Sequence, residues 1–390
     1  MSKPSITPSN ELKKLQDKIR RFSLFIGIDI FDPHPKPNKR SLVSGVVSLL
    51  WQALVLYTII KDLPSLRIFT LAYVHISFFS QGLMRTINLI INPQTTSSLQ
   101  ASIYNFYKIH ENDNDVRVIL EQAIKRAKKL AYGIIIFDCV IFNSGIVLLM
   151  VFLFTGAFVI LVPIYLPYLN AKELVGYLLN LSLQLALGAV GFLTFATYDA
   201  TILIHGYHSL TMVQVLKLKM HNLQNDMDVN DSEQRKLVDE DNFNKKFIEI
   251  VKFHDQIKSY NAEFSNLVRI PFATAIVVNI IGIFVCINMG LKKSLSLGIG
   301  ASLGLFIQLL LPFIVAIMQS FQRDRLHDEI MTFSWNRFKN TYNQKNYCHL
   351  LSLVCCHQGL RLPILGTFNL KLFMRILVII VFPTILLMQI

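Results

Sequence analysis

The densest group of metal-capable side chains is Cys348, His349, Cys355, Cys356 and His357. Zinc would require four N or S ligands in a tetrahedral array. The spacing fits no familiar zinc module, and cysteine is common on apolar helix faces, so the group reads as packing residues. The five cysteines are an odd number and none falls in an expected outer loop, which argues against a disulfide framework. A Gly-rich phosphate loop, a nucleophile elbow and a His-Glu-x-x-His pattern are all lacking from the sequence. The chain is therefore expected to be no enzyme and to hold no metal or cofactor.

Chemistry of a different kind is suggested by ionisable groups inside apolar stretches, where a charge is costly and calls for a partner. Asp138 lies several residues into one such stretch. Arg85 and Asp199 lie near the ends of two others, where snorkelling or pairing is cheap. Aromatic and small residues gather in the same stretches: Tyr73, Phe78 and Phe79; Phe142, Gly145 and Leu149; Leu187, Phe192 and Phe195; Ser302 and Leu305. Apolar cavities lined by aromatics with a few hydroxyls suit small neutral ligands, with Tyr73 or Ser302 as the polar contacts. Ordinary helix packing uses the same residue types.

The C-terminal run, GTFNLKLFMRILVIIVFPTILLMQI, places Lys371, Arg375, Phe382, Leu386 and Gln389 on roughly one helical face. A face that is charged at one end, apolar in its outer third and polar at its tip can line a conduit with a hydrophobic constriction. A lipid-facing helix with snorkelling bases is the plainer reading.

These residues need elements long enough to cross a bilayer. A hydrophobic content of 53%, with 28 Phe, belongs to a chain surrounded by lipid. Seven stretches reach the roughly 20 residues that span a bilayer core. They are Ser41 to Ile60, Leu66 to Ile91, Ala131 to Leu161, Gly176 to Ile204, Leu267 to Gly290, Ser294 to Gln319 and Gly366 to Ile390. Met1 to Arg40 is polar and basic, without the apolar core of a cleavable signal peptide. Thirty Lys and Arg fall in or beside alternate connections and five in the others. Since positive residues resist translocation, the N-terminus is expected in the cytosol and the C-terminus outside. The net charge of +13 thus reports topology rather than nucleic-acid binding.

Helical periodicity continues below the spans, with Phe247, Ile250, Val251, His254 and Ile257 on one face. Ile119 to Lys129 and Met331 to Phe338 read as further extensions, and Asp226 to Asp241 as a mobile loop. Tyr342 to His357 reads as an amphipathic helix set off from the last span by Gly359 and Pro363, so that the seventh helix is split.

An all-α membrane protein with a reversed seven-helix topology, long cytosolic helices, a split seventh helix and a terminal Gln-Ile resembles the insect odorant receptors over essentially its whole length. Many relatives in that superfamily end in a Thr-Tyr pair, several aliphatics and a Gln. Phe382 and Pro383 stand where the pair falls, and Leu386 and Gln389 match the aliphatic gate and the terminal glutamine. The resemblance implies a ligand-gated, non-selective cation channel of four subunits, with odorant-specific chains joined to a common coreceptor. By that resemblance the chain, which lacks the coreceptor's much longer insertion between the fourth and fifth spans, looks like the odorant-tuning subunit. The resemblance also implies an outer-leaflet pocket among spans two, three, four and six, and a location in the plasma membrane of olfactory dendrites.

The expected organisation is a cytosolic segment (1–40), spans one to four with the pocket (41–204), and cytosolic helices with their loop (205–266). Spans five and six (267–319), an anchor region (320–365) and the pore-lining segment (366–390) follow. A gustatory-type channel of the same superfamily shares the topology, but keeps the Thr-Tyr pair most regularly. A secondary transporter would show repeated halves and a charged midplane site. A G-protein-coupled receptor has the opposite orientation.

Overall fold

The computed structural model describes residues 7–27, 29–32, 34, 39–61, 66–154, 173–229, 238–292, 295–333, 341–355, 361–363, 366–367, 371–372, 374–376 and 378. Side chains at a further set of positions, among them Gly145, Leu149 and Cys355, lie outside that description. The described chain is almost wholly helical: α1 (Pro8–Ile26), α2 (Lys39–Lys61), α3 (Leu66–Ile91), α4 (Pro93–His110), α5 (Asn114–Phe154), α6 (Leu174–Val229), α7 (Val238–Lys292), α8 (Leu295–Thr332) and α9 (Thr341–Cys355). A two-residue antiparallel pair, β1 (Arg361–Leu362) with β2 (Gly366–Thr367), follows α9.

Four helices among the described residues are long and apolar enough to cross a membrane by length and composition: α2, α6, α7 and α8. α2 shows why such a helix needs lipid. Leu42, Val43, Val46, Leu49, Leu50, Leu56 and Ile60 are all exposed, whereas only Trp51, Val55, Thr58 and Ile59 are buried. In water that outward face would be an aggregation surface; in hydrocarbon it is matched to its solvent.

The longest helices combine two environments. α6 has 56 residues and α7 has 55, which at about 1.5 Å each gives roughly 80 Å, far more than a bilayer core. Their apolar halves continue into a base where α1, α4 and the start of α5 join them. There Leu12, Leu15 and Ile19 of α1 are buried at helical spacing beside Leu99, Ile103 and Tyr107 of α4, Leu120 of α5 and Leu216 of α6. The N-terminal segment is thus an amphipathic helix seated on the base rather than a merely polar leader. Phe247, Ile250, His254 and Ile257 turn the inner face of α7 toward the same core.

Several buried polar side chains at the base are paired across helices. Tyr107 Oη and His208 Nδ1 share a hydrogen bond of 2.9 Å, as do His205 Nδ1 and Tyr260 Oη. Ser209 donates to Asn261 and also approaches Gln322 Oε1 at 2.9 Å. These contacts join α4, α6, α7 and α8 where a purely apolar core would leave their relative rotation less specified.

Candidate functional site

Four helices each contribute a stripe, and a fifth a single residue, to a cavity of about 590 Å³. On α6 the stripe is Gln184, Gly188, Phe192, Phe195, Asp199 and Leu203, in steps of three and four residues that stay on one face. α8 supplies Gly304, Ile307, Gln308, Leu311 and Ile314; α5 supplies Ile134, Phe137, Asp138 and Phe142. α3 adds Val74, Phe78, Phe79 and Arg85, and Trp51 comes from α2.

The walls are an aromatic lattice. Phe78 stacks on Phe195 with centroids 4.5 Å apart, and meets Phe79 edge-on at 5.6 Å. Phe79 leans against Trp51 at 5.1 Å, and Phe142 stacks on Phe192 at 5.6 Å. Glycine at position 188 makes room for this, because a Cβ there would lie 2.8 Å from the Phe142 ring. Offset stacking holds the rings in fixed orientations, so the cavity has a defined shape.

At one end the apolar lining gives way to charge. Arg85 Nη2 stands 3.3 Å from Asp199 Oδ1, and both side chains are almost fully buried. The guanidinium also lies over the Phe195 ring at 4.0 Å and near Tyr198 at 5.5 Å. Asp138 borders the same end from α5. The two termini of spans that the sequence marked as cheap sites for pairing are therefore paired with each other.

Of the sequence candidates, Phe78, Phe79, Phe142, Phe192 and Phe195 come together around the cavity. Tyr73, Leu187, Ser302 and Leu305 do not border it. Tyr73 turns to α7, where its hydroxyl donates to the Val278 carbonyl at 3.2 Å. Leu187 packs behind the wall with Trp51, Val55 and Ile59, and Leu305 is buried in the main core. Ser302 is half-buried on α8. Gly145 and Leu149 belong to α5, but their side chains lie outside the described residues, as do Phe382, Leu386 and Gln389 altogether. Cys348 and His349 are exposed on α9; Cys356 and His357 also lie outside the description.

Sequence reading missed Trp51, Phe137, Gln184, Gly188 and the α8 stripe as lining residues. The three-to-four spacing from Gln184 to Leu203 was the available signal, with a glycine opposite an aromatic as its second part. A second polar cluster lies beside the cavity: Ser77 donates to Asn279 at 2.8 Å, and Gln81 Nε2 donates to Asn279 at 2.9 Å and to Gln308 at 2.6 Å. Since Gln308 also borders the cavity, this amide group ties its lining to α3 and α7.

A chain almost wholly helical among its described residues, with several membrane-length apolar helices packed around a mostly apolar cavity of small-molecule size, is a multi-pass membrane protein with the form of a receptor. The family model described as 7tm Odorant receptor matches residues 66–379. The chain belongs to that odorant receptor family. Two solved structures of the olfactory receptor OR5 from the insect Machilis hrabei share the fold. One, of the receptor as such, superposes with a TM-score of 0.70 and the other, in complex with eugenol, with 0.68. Each is 13% identical, with 97% of this chain and 99% of that one covered. Among curated proteins no sequence matches.

Proposed function

We propose that this chain is the odorant-tuning subunit of a ligand-gated, non-selective cation channel, opened when a small volatile molecule enters the aromatic cavity. The observation that carries the reading is the cavity itself: a preformed, mostly apolar space with fixed aromatic walls, in a member of the odorant receptor family. The eugenol complex of the Machilis receptor supports a small aromatic-type ligand for this fold. In this reading seven helices cross the plasma membrane of olfactory dendrites, with the N-terminus cytosolic and the C-terminus outside. Residues 41–204 hold the pocket together with the α8 stripe of the 267–319 segment, 205–266 and 320–365 form the cytosolic base, and 366–390 line the pore.

The channel assembles as a heterotetramer with a common coreceptor. Phe382, Leu386 and Gln389 form the constriction and tip of this subunit's pore segment, while Pro383 kinks it. Lys371 and Arg375 would repel cations from a lumen that they faced, so coreceptor helices supply most of the conducting wall. Gating follows from population shift: the ligand binds the open arrangement more tightly than the closed one.

The test is whole-cell current in cells expressing this chain, an insect odorant coreceptor, or both, against volatile aromatics and esters. A ligand-evoked cation current only in the co-expressing cells is the expected result. Full-sized current from this chain alone would refute the dependence on a coreceptor. Flux without a conductance step would replace the channel by a transporter.

A further inference from the structure

The charged end of the cavity has more hydrogen-bonding capacity than the protein uses. Arg85 and Asp199 are 2% and 5% exposed. Yet Arg85 Nη1, Asp199 Oδ1 and Asp138 Oδ2 have no hydrogen-bond partner among the described residues, and all three side chains border the cavity. The 3.3 Å approach of Arg85 to Asp199 is an ion pair whose angles do not make it a hydrogen bond. The Phe195 ring, with its centroid 4.0 Å from the guanidinium carbon, limits the orientations Arg85 can take to find another partner. Buried polar atoms left in this state point to a group that arrives with the ligand.

We propose that the cavity holds its ligand by a hydroxyl group set between Arg85 and Asp138, and so selects small alcohols and phenols with an apolar tail. This rests on the reading of the cavity as the ligand site. Two carboxylates share this end of the cavity with one guanidinium, which already pairs with Asp199, so Asp138 is either ionised without a counter-ion or protonated. A hydroxyl suits both states. It accepts from Arg85 Nη1 and donates to an ionised Asp138, or accepts from Arg85 and from a protonated Asp138. An ammonium group suits only the ionised acid and leaves the Arg85 donor unpaired. A carbonyl suits only the protonated acid, and an ether oxygen can never donate. The tail then lies between the stacked pairs Phe78 with Phe195 and Phe142 with Phe192.

The chain has two tryptophans, Trp51 at the cavity and Trp335. Replacing Trp335→Phe in the purified full chain leaves Trp51 as the reporter. Fluorescence is titrated with 1-octanol, 1-methoxyheptane, octylamine and nonane, chosen for matched length. Octanol is expected to bind about ten-fold tighter than the ether or the amine, the usual scale for a hydrogen bond to a charged partner. Asp138→Leu is expected to bring octanol to the level of the ether, whereas Asp138→Asn, which keeps a donor and an acceptor, retains part of the gap.

Equal binding of octanol and ether, tighter binding of octylamine, a gap that survives Asp138→Leu, or no saturable change with any compound would each overturn the proposal. The plugged variant Gly188→Leu separates the two levels of inference. If it abolishes all signals while keeping the helical circular dichroism and melting temperature of the parent chain, and the compounds show no head-group preference in that parent, the cavity is the site and only the hydroxyl assignment fails. Signals that persist in the plugged chain reject the cavity itself as the site, and the hydroxyl assignment with it.

Discussion

Removing Arg85 should cost more stability than removing Arg85 and Asp199 together. At 3.3 Å the pair attracts by about 5 kcal/mol at an effective dielectric of about 20, and both members have lost their water on burial. Arg85→Met alone leaves Asp199 5% exposed and without its counter-charge, so that it must either hold an unsolvated charge or take up a proton, a situation that destabilises by about 3–5 kcal/mol. In Arg85→Met/Asp199→Leu no charge remains to be solvated. Replacing a buried pair by apolar residues is often neutral or better, so most of that loss should return. Part will not, because the guanidinium also stacks on Phe195. The assay is a double-mutant cycle on the full chain, with unfolding followed by a detergent titration in mixed micelles. A single Arg85→Met that loses less than about 1 kcal/mol, or a double variant that is simply additive, would refute the claim that the two residues are energetically coupled.

Two further outcomes follow from local geometry. Gly282→Ala should lower the melting temperature, because its Cβ would stand 2.7 Å from Leu305 and 2.8 Å from the Tyr73 ring. Overpacking of this kind costs about 1–3 kcal/mol, and Tyr73, anchored by its hydroxyl to Val278, cannot simply swing away, so the roughly 1 kcal/mol of helix propensity gained does not compensate. At the base, burial, helped by the nearby Lys219 ammonium, pushes His110 from its ordinary value of 6.5 down to about 4. The unfolded chain therefore binds the extra proton first, and His110 makes stability fall as pH drops from about 7 toward 4. In thermal melts at pH 7.5 and 5, His110→Gln should lose less stability than the native chain; an unchanged difference would contradict the reasoning.

The first apolar stretches were legible because length and hydrophobicity are local properties: the limits of α2 and α3 lie within a few residues of the stretches read from sequence, and those of α9 within a few of the amphipathic helix read at Tyr342 to His357. The inner face of α7 was legible for the same reason, its period being written along one segment. α1 was passed over although Leu12, Leu15 and Ile19 carry the same period, because its many Lys and Arg dominate the average. The aromatic residues of the cavity could be listed but not sorted. Tyr73 and Phe78 differ by five residues, about 140° around a helix, and only the neighbours decide that one ring meets α7 while the other meets Phe195.

The charged end of the cavity was the least legible part, for a physical reason. Arg85, Asp138 and Asp199 sit on three separate helices, and each alone is explained by a helix end or a stray buried acid. What makes them a group is that α3, α5 and α6 converge there, which follows from packing rather than from spacing along the chain. Once they converge, an apolar environment strengthens every interaction among them and raises the cost of each one left unmade. A cavity that was only apolar could discriminate ligands by volume and shape alone. On the proposed reading, three underused polar groups at one end also fix which way round a molecule lies, and ligands of similar shape become distinguishable by a single polar atom.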